Sequence, residues 1–324
     1  MSRTPSVNAL IFVGFGIAAV LFLSAMILPS LTHQVPGGEK LTEVIIYTSQ
    51  DQEYAEPILR AFEKQTGIRA LAVYDSEAAK TVGLVNRLLA ERAHPQCDVF
   101  WNSEEFRIHQ LAAKNVFRGH DGWKSFGYRS RRLVVNTNVL ALSAAPRSWS
   151  ELTNAQWRGK IAFSYPLFGT AATHFLALRQ SWGDARWQTW CRALQANQAI
   201  IVDGNSVVVK LVGSGEAWLG MTDSDDIAAG QRERLPIAAL PLTEDSLLIP
   251  NTVAVVRDAP HAAAAQKLFE YLQGSEVIGQ LVAAHAVEGA SASEVATATL
   301  RPHWPELLRD LEPATATLKQ IFLR

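Results

Sequence analysis

Alternating strand and helix patterns run through most of the chain, and they constrain its fold more than any other sequence feature. Residues 44–47 form a short apolar strand pattern, residues 53–65 place their apolar side chains on one helical face, and residues 68–74 alternate as a second strand. Gly67 stands where a glycine commonly ends a helix. A β-α-β unit of this kind joins two parallel strands through a right-handed crossover. The pattern therefore predicts an α/β protein built on a parallel sheet.

The same alternation continues towards the carboxyl terminus. Further strands are predicted at residues 97–101, 133–136, 160–164, 200–202, 217–221, 238–242 and 252–256. Further helices are predicted at residues 81–92, from residue 104 onwards, and at 170–181, 185–196, 261–272 and after Trp304. The length of 324 residues exceeds what one small core usually serves, so we expect two lobes.

The amino terminus carries a different pattern. Ala9 to Leu28 are twenty residues without a charge, preceded by Arg3 and followed by Pro29. Twenty helical residues span about 30 Å, the thickness of the bilayer hydrocarbon. The run predicts an uncleaved membrane anchor, with a cleaved signal peptide and a buried core helix as alternatives. Arg3 favours a cytoplasmic amino terminus, which places residues after about 40 across the membrane.

Composition excludes several classes of protein. A formal net charge of -1 does not suit a nucleic-acid-binding surface. Cys97 and Cys191 exclude a disulfide-rich scaffold and a cysteine zinc cage, although one isolated bridge between them stays open. The eight histidines show no metal-ligand spacing, and neither a nucleophile elbow nor a phosphate-binding P-loop motif is present.

Polar residues follow the predicted strands, where open α/β sheets bind their ligands. The candidate ligand-binding residues are Ser49, Gln50, Asp51, Asp75, Trp101, Ser103, Glu104, Gly169, Thr170, Ala171, Asn205, Ser206, Asp223, Asp225 and Asp226. The segments that follow the strands contain several acids and hydroxyls and no lysine or arginine. This composition indicates a cationic ligand rather than a free anion.

The densest carboxylate cluster is Asp223, Asp225 and Asp226, with Ser224 between them. Such a cluster can bind a hard cation or share a proton, and it can also cap the following helix. The helix that begins near Gly169 offers backbone N–H groups for an anion, although a purely structural cap is the alternative. Trp101, at a strand end, is a candidate to pack on a ligand, with a core position as its alternative.

Five stretches stand out in order along the chain: VIIYTSQDQEYAEPILRAFEKQTGI, CDVFWNSE, RSWSELTNAQWRGKIAFSYPLFGTAATH, DGNSVVVKLVGSGEAWLGMTDSDD and LLIPNTVAVVRDAPHAAAAQKLFEYL. Together they resemble the bacterial ferric-binding-type substrate-binding proteins of ABC transporters. The resemblance spans roughly residues 42–290. It implies a two-lobed α/β periplasmic-binding-protein-like fold of type 2, with two hinge crossings near residues 135 and 250. The uncharged run from Ala9 to Leu28 places one transmembrane helix before this fold.

The implied domains are residues 1–40 as the membrane segment and linker, 41–135 plus 250–285 as lobe 1, and 136–249 plus 286–324 as lobe 2. The resemblance also implies metal ligands at Asp51, Glu104, Asp225 and Asp226, and an anion-binding turn at Gly169, Thr170 and Ala171. The two aspartates stand where the ferric-binding proteins carry two tyrosines. Hard oxygen donors remain, but this departure puts Fe(III) as the ligand in doubt.

The expected function is a non-enzymatic, extracytoplasmic solute-binding protein of an ABC-type importer. Its ligand is expected to be a metal cation such as iron, with or without a synergistic anion, or an organic cation. If Arg129, Arg131 or Arg132 enters the cleft, an anionic ligand fits again. The alternatives are an anchored ligand sensor of the same fold and a metal-dependent hydrolase using Asp223, Asp225 and Asp226.

The expected partners follow from this function. They are permease and ATPase subunits on other chains, the small-molecule or metal ligand, and the membrane through the amino-terminal helix. No nucleic acid is expected, and the receptor is expected to be a monomer. No cofactor is required, and a bound metal would be cargo. The body is expected on the periplasmic or extracellular face of the cytoplasmic membrane.

Overall fold

A computed structural model describes residues 42–75, 82–119, 122–296 and 299–323. All of them belong to one compact unit, Lys40–Arg324. Within the described residues, no helix has both the length and the apolar character needed to cross a membrane. The predicted membrane segment, Ala9 to Leu28, lies outside the described residues.

The described residues form strands and helices in alternation. The strands are β1 Glu43–Thr48, β2 Arg69–Tyr74, β3 Val99–Asn102, β4 Trp123–Asn136, β5 Ile161–Ser164, β6 Ile200–Val202, β7 Leu219–Asp223, β8 Ile237–Ala239 and β9 Leu248–Val255. The helices are α1 Gln52–Thr66, α2 Val82–Glu91, α3 Phe106–Ala113, α4 Gly169–Trp182, α5 Asp184–Ala196, α6 Asn205–Ser214, α7 Ser224–Arg232, α8 Ala262–Leu272, α9 Ser275–Ala283, α10 Ala292–Val295 and α11 Trp304–Phe322. Short 3₁₀ helices lie at Leu142–Ala144, Ser150–Thr153 and Ala155–Trp157.

The strands lie in the order β2-β1-β3-β9-β4-β7-β5-β6, and β8 pairs with β4. β1 is parallel to β2 and β3, and β5 is parallel to β6 and β7, as the crossover pattern predicts. The strands β9 and β4 run antiparallel to their neighbours and join the two parallel groups. Residues 123–130 of β4 pair with β9, and residues 131–136 pair with β7 and β8.

Two lobes are defined by the helices that pack on each group of strands. We call β1, β2, β3 and β9 with α1, α2, α3, α8 and α9 the first lobe, and β5 to β8 with α4, α5, α6, α7 and α11 the second lobe. In the first lobe, the neighbours Phe100 and Trp101 enter cores on opposite faces of the sheet. The carboxyl-terminal helix packs Leu307 and Leu318 into the core that contains Phe163 and Phe175.

The structure differs from the sequence-based elements mainly at the strands shared between the lobes. β4 begins at Trp123 rather than at residue 133, and it changes partners at Arg131 rather than near residue 135. The added part is rich in charged and polar residues, so its strand pattern is weak. β9 likewise begins at Leu248 rather than at residue 252. The residue bounds proposed for the two lobes remain a prediction.

Close packing around Gly220 gives a test of the side-chain packing in the second lobe. Gly220 lies in β7, and a Cβ atom there would lie 2.6 Å from Val208 Cγ1 and 2.9 Å from Val134 Cγ1. We expect Gly220→Ala to lower the free energy of unfolding by about 1–3 kcal/mol, because the valines must move. Urea unfolding followed by tryptophan fluorescence measures this change.

Gly279→Ala in α9 is the matched control, since a Cβ atom there would meet nothing within 4 Å. Alanine favours a helix interior over glycine by about 1 kcal/mol, so this variant should be as stable as the parent or more stable. Equal effects of the two substitutions would contradict the packing described for Gly220.

Candidate functional site

The carboxyl ends of β5, β6 and β7 meet at one edge of the second lobe, and each strand is followed by the start of a helix. α4 begins at Gly169, α6 at Asn205 and α7 at Ser224. The segments after β1 and β3 of the first lobe face the same space. Together they line a cleft, whose residues are Gln50, Asp51, Ser103, Arg129, Ser164, Tyr165, Phe168, Gly169, Thr170, Ala171, Asp203, Gly204, Asn205, Asp223, Asp225 and Asp226.

The cleft encloses a volume of about 60 Å³. One buried water needs about 10–15 Å³ by the same kind of measure, so the cleft has room for a few waters or a compact solute. Phe168 stands at its edge with 42% of its surface exposed. The site is therefore suited to a small ligand that both lobes can contact.

A buried ion pair lies at the floor of the cleft. The antiparallel register places Arg131 of β4 opposite Asp223, the last residue of β7. Arg131 Nη1 donates to Asp223 Oδ1 at 2.8 Å, and both side chains are almost completely buried. Burial alone would raise the pKa of Asp223, but the guanidinium groups of Arg131 and Arg129 hold that pKa below its usual value. Asp223 is therefore held as a carboxylate.

Arg129 lies two residues before Arg131 on the same face of β4, and it lines the cleft. Its Nη1 donates to the Ser103 carbonyl at 2.7 Å, and its Nε lies 3.3 Å from Asp225 Oδ2. Burial disfavours the charge of Arg129, but Asp225 and Asp223 outweigh that effect and raise its pKa. A permanent cation thus stands between a backbone carbonyl of the first lobe and carboxylates of the second.

A network of neutral groups surrounds the remaining oxygen of Asp223. Thr170 Oγ1 donates to Asp223 Oδ2 at 2.8 Å, and Asn205 Nδ2 donates to the same oxygen at 3.2 Å. Asn205 Oδ1 accepts from Arg131 Nη1 at 2.9 Å and from Ser164 Oγ at 2.8 Å. These bonds fix the first residues of α4 and α6 against β7.

Two helices begin at the cleft without a side-chain cap. The residues before α4 and α6 are Phe168 and Gly204, neither of which has a side-chain oxygen, and neither makes a capping bond. The first N–H groups of a helix have no partner within it and carry partial positive charge. Two such helix starts facing one cavity form a ready site for an anionic group.

Ten of the fifteen predicted ligand-binding residues line this cleft. They are Gln50, Asp51, Ser103, Gly169, Thr170, Ala171, Asn205, Asp223, Asp225 and Asp226. Trp101 is fully buried in the core of the first lobe, where its ring centroid lies 6.4 Å from that of Phe126. Ser49 is buried behind the cleft and donates to Asn102 Oδ1 at 2.6 Å. Ser206, in the first turn of α6, is outside the lining.

Two of the predicted acids accept hydrogen bonds from N–H groups at helix starts instead. Asp75 Oδ2 accepts from the Leu84 N–H at 3.3 Å, near the start of α2. Glu104 accepts from the N–H groups of Phe106 and Arg107 at 2.7 and 3.1 Å, so it caps α3. Burial raises the pKa of Glu104, and Arg107 opposes this effect. Both carboxylates are therefore engaged outside the cleft lining.

The predicted metal-ligand set differs from the group that the structure brings together. Ligand atoms of Asp223, Asp225 and Asp226 lie within 4.8 Å of one another, whereas Asp51 and Glu104 are not in this group. Asp223 already pairs with Arg131, and Arg129 adds a second cation. A divalent or trivalent ion would therefore meet positive charge as well as the carboxylates.

The expectation of a cleft without lysine or arginine is wrong. Arg129 lines the cleft and Arg131 lies beneath it, because the antiparallel strand β4 brings its own side chains to the edge where the parallel strands end. The sequence analysis named Arg129, Arg131 and Arg132 as the residues that could make an anionic ligand fit. Arg132 instead forms an ion pair with Glu288. The sequence signal for Arg129 and Arg131 was their spacing of two residues, just before the strand predicted at residues 133–136.

Five further lining residues were missed as candidates. Ser164, Tyr165, Phe168, Asp203 and Gly204 flank the starts of α4 and α6. Ser164 ends β5 and Tyr165 follows it, Phe168 directly precedes α4, and Asp203 and Gly204 directly follow β6. The rule that ligands bind after the strands could have found them, since it applies to aromatic residues and glycine as well as to acids.

The sequence profile of the family described as "Bacterial extracellular solute-binding protein" matches residues 44–284. The major ferric iron-binding protein of Neisseria gonorrhoeae is 22% identical over 86% of this chain and 89% of that protein. The "Putative 2-aminoethylphosphonate-binding periplasmic protein" of Salmonella typhimurium is 27% identical over 70% of this chain and 71% of that protein.

A solved structure shows the same fold. Iron-bound HitA from Pseudomonas aeruginosa superposes with a TM-score of 0.76, covering 87% of this chain and 99% of HitA at 18% identity. The two-lobed, periplasmic-binding-protein-like fold expected from the sequence is thereby supported.

The buried pair predicts a pH-dependent stability. Asp223→Asn keeps the shape but leaves the buried Arg131 without its carboxylate, while Arg129 keeps its pair with Asp225, so we expect a loss of about 3–5 kcal/mol in the free energy of unfolding at pH 7. Because the pKa of Asp223 is lower in the folded chain, its stabilisation is complete above the unfolded value of about 3.9 and is lost as the pH falls further. Urea unfolding at pH 7 and at pH 3.5 should show a smaller difference between parent and variant at the lower pH, and this difference should shrink further as the pH falls through the folded pKa of Asp223.

The control is Asp184→Asn, which removes one carboxylate of an exposed pair with Arg179. Exposed ion pairs contribute at most about 1 kcal/mol, so this variant should change little. Losses of similar size for the two variants would contradict the role given to the buried pair.

Proposed function

The chain belongs to the bacterial extracellular solute-binding protein family, and we propose that it binds a small zwitterion that carries a phosphonate or phosphate group and an ammonium group. It is a periplasmic solute-binding protein of an ABC importer. The observation that carries this proposal is the arrangement of charge in the cleft. Two uncapped helix starts lie in the same small cavity as the acidic first turn of α7.

The anionic group is placed at the starts of α4 and α6. Free N–H groups near Gly169 and Asn205 are donors suited to phosphonate oxygens. Arg129 adds a permanent positive charge beside them. An oxyanion in this position is stabilised by helix dipoles and by a guanidinium together.

The cationic group is placed at the start of α7. Asp225 and Asp226 lie in the first turn of this helix, and Asp51 faces the same space from the first lobe. The four cleft carboxylates of Asp51, Asp223, Asp225 and Asp226 exceed the two arginines by two charges. A simple dianion would therefore be repelled, whereas a zwitterion matches both ends of the cleft.

A ferric ion with a synergistic anion is the second candidate. It is favoured by the close approach of the ligand atoms of Asp223, Asp225 and Asp226, and by the iron-binding relatives. Metal binding through Asp223 would have to compete with Arg131 Nη1 at 2.8 Å. The phosphonate-binding name of the Salmonella relative supports the zwitterion instead.

Calorimetric titration of the purified full-length protein tests this choice. We expect 2-aminoethylphosphonate to bind more tightly than ethylphosphonate, which lacks the ammonium group, and more tightly than inorganic phosphate. Asp226→Asn should weaken 2-aminoethylphosphonate by about 10- to 100-fold, since a charged hydrogen bond contributes about 1.5–3 kcal/mol, and should leave ethylphosphonate unchanged or bound more tightly.

Asp184→Asn, an exposed acid outside the cleft lining, serves as the control and should bind all probes as the parent does. Tight binding of ferric citrate with no response to 2-aminoethylphosphonate would replace the zwitterion by the metal candidate. Equal affinity for 2-aminoethylphosphonate and ethylphosphonate would remove the role proposed for the carboxylates.

The amino-terminal segment supports a second part of the proposal, a tether in the cytoplasmic membrane. The uncharged run from Ala9 to Leu28 is long enough to span the hydrocarbon, and a charge at its centre would cost about 2.5–3.5 kcal/mol. In cells of a Gram-negative host, we expect the full-length chain to remain in the membrane pellet after alkaline carbonate extraction.

Its intact mass should be that of the uncleaved 35.5 kDa chain. Ala18→Arg, near the centre of the run, should reduce the pelleted fraction, while Ser2→Arg, outside it, should not. A shorter chain in the soluble periplasmic fraction would instead indicate a cleaved signal peptide.

A further inference from the structure

Arg232 connects the second lobe to two helices of the first. It is the last residue of α7, and its Nη2 donates to the Tyr54 hydroxyl of α1 at 3.0 Å. Its Nη1 donates to the carbonyl of Ala284, at the carboxyl end of α9, at 3.1 Å. Glu53 Oε1 of α1 lies 4.0 Å from the same guanidinium. One side chain thus bonds two separate elements of the opposite lobe.

The acceptors suit a guanidinium better than an ammonium. The planar fork of arginine presents N–H donors in fixed directions, so it reaches the phenol and the carbonyl together. The Ala284 carbonyl lies at the negative end of the α9 dipole, which favours a cation. Burial raises the pKa of Tyr54 to about 12, so its hydroxyl remains neutral and able to accept. Arg232 is therefore held by geometry as well as by charge.

The elements that Arg232 joins also carry the ligand-binding carboxylates. α7 begins at the cleft with Asp225 and Asp226 and ends with Arg232, about 9 Å further along the helix axis. α1 follows Asp51, a cleft residue, and carries Tyr54 in its first turn. The contact therefore spans the lobes outside the cleft lining, on the same two helices that present negative charge to the ligand.

We propose that Arg232 is a closure latch, a positioning residue whose bonds to Tyr54 and Ala284 hold the two lobes together and so slow ligand release. This inference rests on the proposed receptor function, because closure of two lobes is its mechanism. The latch does not touch the ligand. It changes how long the cleft stays closed and leaves the choice among ligands to the cleft residues.

A distance measurement in the full-length protein tests the latch without depending on the ligand. Spin labels are attached at Lys64→Cys in α1 and Arg192→Cys in α5, which are exposed positions on the first and second lobes. Cys97 and Cys191 are buried, and burial raises the pKa of both thiols, so they react slowly with the label. Pulsed electron–electron double resonance then reports the distance between the two labels, and so between the lobes.

We expect Arg232→Ala and Tyr54→Phe each to raise the population of the longer distance by about 3- to 10-fold, the effect of one or two hydrogen bonds. Arg232→Lys keeps the charge but loses the fork and should be intermediate. The double variant should show no more opening than Arg232→Ala alone, because Arg232→Ala already removes the bond to Tyr54 as well as the bond to Ala284. Arg60→Ala is the control, since Arg60 pairs only with Glu56 on its own helix among the ion pairs described, and it should match the parent.

The dissociation rate of 2-aminoethylphosphonate should rise by a similar factor in the latch variants. The ratio of its affinity to that of ethylphosphonate should stay constant. Identical distance distributions for the parent and Arg232→Ala would overturn the latch, as would a change in the affinity ratio, which would place Arg232 in ligand recognition. If the parent does not bind 2-aminoethylphosphonate at all, the proposed ligand is wrong, while the distance measurement still decides the latch.

Discussion

The buried pair between Arg131 and Asp223 fixes the relation between the sheet and the cleft. Asp223 ends β7 and precedes α7, while Arg131 lies at the point where β4 turns from β9 to β7. Neither charge could be buried alone without a large cost in free energy. The register of β4 against β7, the start of α7 and the position of Arg129 all follow from keeping these two groups together.

The charge of the cleft is a consequence of that pairing. With Asp223 neutralised by Arg131, the cavity faces Asp51, Asp225 and Asp226 from one side and uncapped helix starts from the other. Within one small space, the helix N-termini disfavour a cation and the carboxylates disfavour an anion, so a single ion of either sign meets unfavourable charge. This separation of charge suits a molecule with two opposite groups better than a bare cation.

Local patterns made most of the fold predictable, because β-α-β units depend on residues close together in sequence. The helix ending at Gly67 is confirmed by its left-handed φ of 71°. The parallel pairs of β1 with β2 and β3 follow from the crossovers. Strand β4 was predicted only at its apolar end, residues 133–136, since the residues from Trp123 to Arg132 include Lys124 and three arginines and show a weak strand pattern.

The chemistry of the site was less predictable, because it depends on partners far apart in the chain. Asp223 and Arg131 are 92 residues apart, and no periodicity indicates that they meet. For Glu104 and Asp75, by contrast, the hydrogen-bond partners are close in the chain. Their place after a strand made them look like ligands, but local N–H groups of α3 and α2 engage them. Position after a strand locates the cleft, whereas competition from a nearby helix start decides which acids face it.

Arg129 shows why ligand binding and closure form one equilibrium in this fold. Its guanidinium bonds the Ser103 carbonyl of the first lobe and lies beside Asp225 of the second, so its complete burial requires both lobes. Opening the cleft would return Arg129 to water and weaken its field at the starts of α4 and α6, because interactions between charges are stronger where water is excluded. A ligand whose anionic group needs that field therefore favours the closed form, and any contact that stabilises closure strengthens its binding without touching it.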